Sequence, residues 1–189
     1  MKKWIIRIIF TVSVFSIGFA SGFLAFNPFM QWKWERETLL KNETFMNKTV
    51  PNVTTTTIRG EKWELHKQYG KVLLIDFWAT WCGPCVASMP KLKELYEKYK
   101  DNPNFAMVGV SLDNDEKELK KFIDDEKIMW LQLFEKNNKG MENSFAKAFQ
   151  VTGIPSVWIV DKNNKVIGID LYSKEDIVRK IDESLNENG

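Results

Sequence analysis

The residues of this chain best suited to chemistry are concentrated in Trp81-Cys82-Gly83-Pro84-Cys85, which holds both of its cysteines. Two thiols separated by two residues can close a small disulfide loop or stay as a dithiol, which is redox chemistry. Two blander uses compete with it. A structural zinc site needs four ligands, and beyond the cysteines the chain offers one histidine, His66, so no metal is expected. A disulfide spanning only two residues constrains the unfolded chain little, because the entropic benefit grows with loop length. Redox catalysis is the reading that remains, with the Cys82/Cys85 pair itself as the redox group and no separate cofactor.

Such a pair needs elements that hold it. Ahead of it lies the buried-looking strand Val72-Leu73-Leu74-Ile75-Asp76-Phe77-Trp78, and behind it the residues from about Cys82 to Lys100 read as a helix. A cysteine at a helix N-terminus faces unpaired N–H groups and the positive end of the helix dipole, which favours its thiolate. Cys82 is therefore the expected nucleophile. Cys85, one turn deeper, is placed to attack a mixed disulfide on Cys82 and release the product. Pro84 costs little in a first helical turn, where its missing N–H would have had no partner, and Gly83 leaves the approach to Cys82 open. Asp76 lies inside an otherwise apolar strand, where burial makes ionisation costly and lifts its pKa towards neutrality. That suits a general acid/base for Cys85. The competing reading is an aspartate at the strand margin, pointing to water.

The run Asp76-Phe77-Trp78-Ala79-Thr80-Trp81-Cys82-Gly83-Pro84-Cys85 resembles the active-site signature of the thioredoxin superfamily, and a looser resemblance extends roughly from Thr49 to Leu185. Within the superfamily the chain is most similar to the membrane-anchored, extracytoplasmic TlpA/ResA-like proteins. The resemblance implies an α/β fold, thioredoxin-like, with a central mixed sheet, helices on both faces and an extra helix-strand insertion. It puts Asp76 at the position of the buried thioredoxin aspartate. In Gly153-Ile154-Pro155-Ser156 a strand-start proline would ordinarily be trans. The resemblance implies instead a cis Pro155, with Ile154 against an extended client segment and Trp81, Gly83 and Pro84 also facing the substrate. The Gly-Pro pair resembles that of reducing thioredoxins. One departure is Ser88, where many TlpA/ResA-like proteins carry an acidic residue; it weakens a role in cytochrome c maturation, while Asp76 makes the site look closer to thioredoxin itself.

The 189 residues accommodate one domain and an appendage. Ile8 to Phe26 carry no charge and would span about 28 Å as a helix, close to the thickness of a bilayer's hydrocarbon core. Lys2, Lys3 and Arg7 precede this run, so a single-pass anchor would leave the N-terminus in the cytoplasm and the redox domain outside. The expected location is a bacterial cytoplasmic membrane. A cleaved signal peptide, ending near Gly18-Phe19-Ala20 and releasing a secreted or periplasmic protein, is the alternative, but the apolar run continues through Phe26. The expected organisation is residues 1–27 as anchor, 28–48 as connector and 49–189 as thioredoxin-like domain. Removing Lys2, Lys3 and Arg7 from the 27 basic residues leaves 24 against 25 acidic ones, and no basic patch points to nucleic acid.

The remaining pattern is a strand, an Arg59-Gly60 turn and a second strand before the active-site strand; after the active-site helix come a strand from Phe105 to Ser111 and a helix from about Asp115. A short strand from Trp130 to Phe134 and a helix from Met141 to Phe149 follow, then a hairpin of Ser156–Val160 and Val166–Leu171, then a helix capped by Ser173 and Asp176. The active-site helix shows Val86, Met89, Leu92 or Lys93, Tyr96 and Tyr99 as its apolar stripe, with a kink at Pro90. The sequence thus describes a membrane-tethered thiol-disulfide oxidoreductase acting on protein clients, apocytochrome c being one candidate, and recharged by a transmembrane thiol electron donor. A thiol peroxidase would need a reactive cysteine outside the pair, which the chain lacks. A non-enzymatic binding or chaperone module would tolerate loss of both cysteines.

Overall fold

The structure is a computed structural model and describes residues 28–137 and 139–187. The apolar segment 8–26, with its anchor and signal-peptide readings, lies outside the described residues. Among those described, no helix is long and apolar enough to cross a membrane.

The sheet is built around β3 (Val72–Trp78), all seven residues of which are buried. An apolar run of this kind cannot face water on either side, so it takes the centre of a sheet covered on both faces. It pairs in parallel with β4 (Phe105–Ser111) and antiparallel with β6 (Ser156–Val160). With β5 (Leu131–Leu133) and β7 (Val166–Gly168) outside these, the order is β5-β4-β3-β6-β7. Side chains alternate across β3. Phe77 meets the rings of Phe145 and Phe149, 6.0 and 5.6 Å away, at the short helix α4 (Ser144–Ala148). Trp78, on the opposite face, meets Phe122 of α3 (Glu116–Asp125) at 5.6 Å.

Both outer strands have backbone partners beyond the sheet. A hairpin of β1 (Thr54–Thr56) and β2 (Lys62–Glu64) turns through Gly60, at φ 84°, and lies against β5 through Phe134 N–H to Thr56 O and Ile58 N–H to Gln132 O. On the other side Asn47 N–H bonds Val166 O, Val166 N–H bonds Lys48 O, and Val50 N–H bonds Asn164 O.

The fold departs from the sequence expectations at several boundaries. The connector is helical: α1 covers Pro28–Phe45, and the compact unit carrying the sheet begins at Lys41, not at residue 49. Phe45 is the reason, for it is buried against the ring of Trp158, 5.2 Å away. The active-site helix α2 (Gly83–Tyr99) continues through Pro90 and buries Cys85, Met89, Leu92, Leu95 and Tyr99, so Cys85 and Leu95 replace Val86 and Tyr96 in the stripe. The expected helix 141–149 is divided into a 3-10 turn, Gly140–Glu142, and α4, because Asn143 caps a fresh start with its Oδ1 on Phe145 and Ala146 N–H. The last strand stops at Gly168 because the chain turns at Asp170, where φ is 50°. Helix α5 (Lys174–Asn186) is capped by Ser173 Oγ accepting from Asp176 N–H, while the Asp176 carboxylate pairs with Arg179 in place of closing the box.

Candidate active site

Strand β3 delivers the chain to the cysteines and α2 begins at once. Cys82 is the N-cap of α2, and its Sγ accepts the Cys85 N–H at 3.2 Å, the bond a serine or aspartate cap would make. The sulfur that caps the helix is therefore the one that feels its free N–H groups. Cys82 and Cys85 are joined at an S–S distance of 2.04 Å, and they are 5 % and 1 % exposed. Around them Trp81 is 61 % exposed, and Gly83 and Pro84 also face solvent. A Cβ added at Gly83 would meet nothing within 4 Å, so space alone does not require glycine there. Ser88 donates its hydroxyl to Cys85 O at 2.7 Å and is thereby committed to the helix backbone.

Asp76 is 1 % exposed, which excludes the strand-margin alternative, and neither carboxylate oxygen has a hydrogen-bond partner. Burial pushes it up to about 7, and the charge of Lys91 on α2 pulls the other way. A carboxyl of this kind exchanges its proton near neutral pH. Lys91 Nζ also donates to Tyr172 O at 2.7 Å, tying α2 to the loop after β7. The Ile154–Pro155 bond is cis, and both residues are partly exposed immediately before β6. His66 is a surface residue bonded to Asn52 Oδ1 at 2.8 Å, away from this chemistry.

The sequence reading missed Asp113. It lies two residues beyond β4, is 3 % exposed, and receives Thr80 N–H at 3.1 Å, Thr80 Oγ at 2.6 Å and Ser111 Oγ at 2.8 Å. Together with Leu112 N–H to Trp78 O, it clamps the turn that feeds Cys82. The available signal was Ser111-Leu112-Asp113 at a strand end, though nothing local links it to Thr80, 33 residues earlier.

The thioredoxin-like family profile matches residues 70–166, more than half of the chain. The chain belongs to the thioredoxin-like family. It is 32 % identical over 129 residues to the thiol-disulfide oxidoreductase ResA of Bacillus cereus, covering 67 % of this chain and 70 % of that one. To the thioredoxin-like protein YneN of Bacillus subtilis it is 26 % identical over 187 residues, covering 96 % and 98 %. Its fold superposes on a thiol-disulfide oxidoreductase from Bacteroides fragilis with a TM-score of 0.65 and 29 % identity, over 72 % of this chain and 98 % of that one. This thioredoxin-like chain is a thiol-disulfide oxidoreductase, with one Cys-Gly-Pro-Cys pair to do the exchange.

Proposed function

We propose that the protein reduces disulfides of protein clients outside the cytoplasm, tethered to the membrane through residues 8–26. The Cys82 thiolate attacks one sulfur of a client disulfide; that S–S bond breaks, a client thiolate leaves, and Cys82 is joined to the client. Cys85 then loses its proton to the Asp76 carboxylate and attacks Cys82 Sγ. This closes Cys82–Cys85, frees the second client thiol, and moves two electrons from the dithiol to the client. Ile154 and cis Pro155, with Trp81, Gly83 and Pro84, form the surface that meets the client. A transmembrane thiol donor returns the electrons.

The observation that carries this reading is the buried Asp76, with no hydrogen-bond partner and a pKa near 7, on the strand that leads into the pair. A proton acceptor of that strength is what deprotonation of a 1 % exposed cysteine requires. Client breadth is the finer point. A role confined to cytochrome c maturation gains nothing from the site, where Ser88 is an uncharged helix-bonded hydroxyl, so general disulfide reduction is the reading we favour.

The test is a trap. In Cys85→Ser the first attack proceeds and the escape is lost, so membranes carrying the variant should show higher-mass adducts that collapse with reductant and vanish when Cys82 is also changed. Identifying the adducts separates apocytochrome from general clients and can capture the donor. A folded, inserted protein giving no Cys82-dependent adduct in its host would sink the proposal.

A further inference from the structure

Past the cis peptide bond, β6 is held unevenly. On its β3 side the ladder runs to the first residue, Ser156 opposite Phe77. On its β7 side pairing is confined to Ile159 and Val160, so Ser156 and Val157 have no ladder partner there. Other groups take over. Leu171 N–H bonds Val157 O at 3.1 Å, and Ser156 Oγ donates to Asp170 Oδ1. The same hydroxyl accepts Trp158 Nε1–H at 2.9 Å, so both of its roles are fixed. The other Asp170 oxygen accepts Lys41 Nζ at 2.7 Å, in an ion pair whose side chains are only 12 % and 20 % exposed. Lys41 lies near the C-terminal end of α1, and its ammonium also lies 5.9 Å from the centre of the Trp158 ring.

We propose that Lys41 and Asp170 are positioning residues for the client-binding loop: the ion pair holds Ser156, and through it Ile154–Pro155, in the place where a protein disulfide is received. Ser156 has a single hydroxyl proton, and a charged acceptor takes it more firmly than a neutral one. Asp170 can serve only while it stays folded in over β6 with φ at 50°, and its carboxylate would otherwise turn to water. Lys41 supplies the opposite charge that keeps it there. The C-terminal part of α1 thereby sets the client loop, although none of its residues belongs to the redox pair or to the surface assigned to the client. This rests on the reading that Ile154 and Pro155 meet the client.

The experiment uses the full chain in detergent, with insulin as the protein disulfide, hydroxyethyl disulfide as the small one and dithiothreitol as electron source. Lys41→Gln and Asp170→Asn, the latter because asparagine tolerates a positive φ, should each raise KM for insulin about fivefold, within the range of coupling through packed networks. Turnover at saturation and the rate with hydroxyethyl disulfide should stay within about twofold, a split that a general loss of structure would not give. The double variant should be no worse than the larger single one, and Lys41→Arg should restore KM. An unchanged KM in folded Lys41→Gln, additive losses in the double variant, or an equal loss on both substrates would overturn the proposal. If Lys41→Gln does not fold, the uncharged double variant carries the same comparison. Ile154→Glu separates the two readings: a raised insulin KM there with none in Lys41→Gln rejects the positioning role alone, whereas no change in Ile154→Glu rejects the client surface on which it rests.

Discussion

Asp76 and Asp113 are carboxyl groups withdrawn from water to nearly the same degree, 1 % and 3 % exposed, on adjacent parts of one sheet. One lies within β3 with no donor on either oxygen; the other follows β4 and takes three bonds from Thr80 and Ser111. A carboxylate enclosed by donors fixes the groups around it, because each loses its partner if the carboxylate moves. A carboxyl without donors fixes nothing and can gain or lose a proton without breaking a bond. The pair therefore divides the work at the cysteines: Asp113 holds the turn before Cys82, and Asp76 is left to titrate.

The largest expected effect is the pH dependence that Asp76 gives to stability. Burial lifts Asp76 from 3.8 to about 7, so between those values the unfolded chain is ionised there while the folded one keeps its proton. The unfolded state then binds fewer protons, and stability falls as pH rises through that window and levels off above it. The full effect is about 4 kcal/mol. Urea titrations of the oxidised protein across the window should show the fall, and Asp76→Asn should remove it; the same slope in the variant would show that Asp76 is not its source.

Next in size is the clamp. Asp113→Ala strands three donors beneath the active-site turn and should cost about 3 kcal/mol in chemical unfolding. Asp113→Asn keeps an acceptor for Thr80 and offers an N–H to the Ser111 hydroxyl, so its cost should stay below about 1 kcal/mol. Equal costs for the two variants would mean that Asp113 does not act through those bonds.

The kinetic contrast is somewhat smaller in energy and bears directly on turnover. Asp76→Asn should slow the release of client from Cys82 about a hundredfold while leaving the first attack intact, as expected when one proton acceptor is lost. Asp113→Asn should leave both steps nearly unchanged. Rapid mixing of reduced enzyme with a protein disulfide resolves the two phases, and a slowed first phase in Asp76→Asn would remove the distinction between the two carboxyls.

These differences bear on what a sequence can show. Strand β3 was readable to the residue, since seven apolar-dominated positions leading into a helix start leave little choice of pairing or face. The cysteine pair, Asp76 and the end of β4 were legible for the same local reasons. The Asp113 clamp was not, because its partners come together only when the β3 and β4 ends are neighbours. Nor was the start of the domain: α1 is rich in mixed charge, and among its described side chains only Phe45, in its last turn, is buried in the core. The stripe of α2 was legible at Met89, Leu92 and Tyr99 but not at Cys85 and Leu95, because Val86 and Tyr96 look as apolar in the sequence as the neighbours that are buried in their place.

The occupied flanks of the sheet have a further consequence. An enzyme that received extended client segments, as proposed above, would work among partly unfolded chains, the setting in which an open strand edge invites runaway aggregation. Here β7 is covered at Val166 by the bonds of Asn47 and Lys48, with Val50 bonded to Asn164 just ahead of it, and β5 by the hairpin, whose own outer strand carries Lys62 and Glu64. Charged residues on that strand disfavour the addition of another chain. The surface near the cysteines can thus remain open to clients while the flanks of the sheet resist polymerisation, and a deletion of residues 46–50 should be recognised first by insolubility and only later by lost activity.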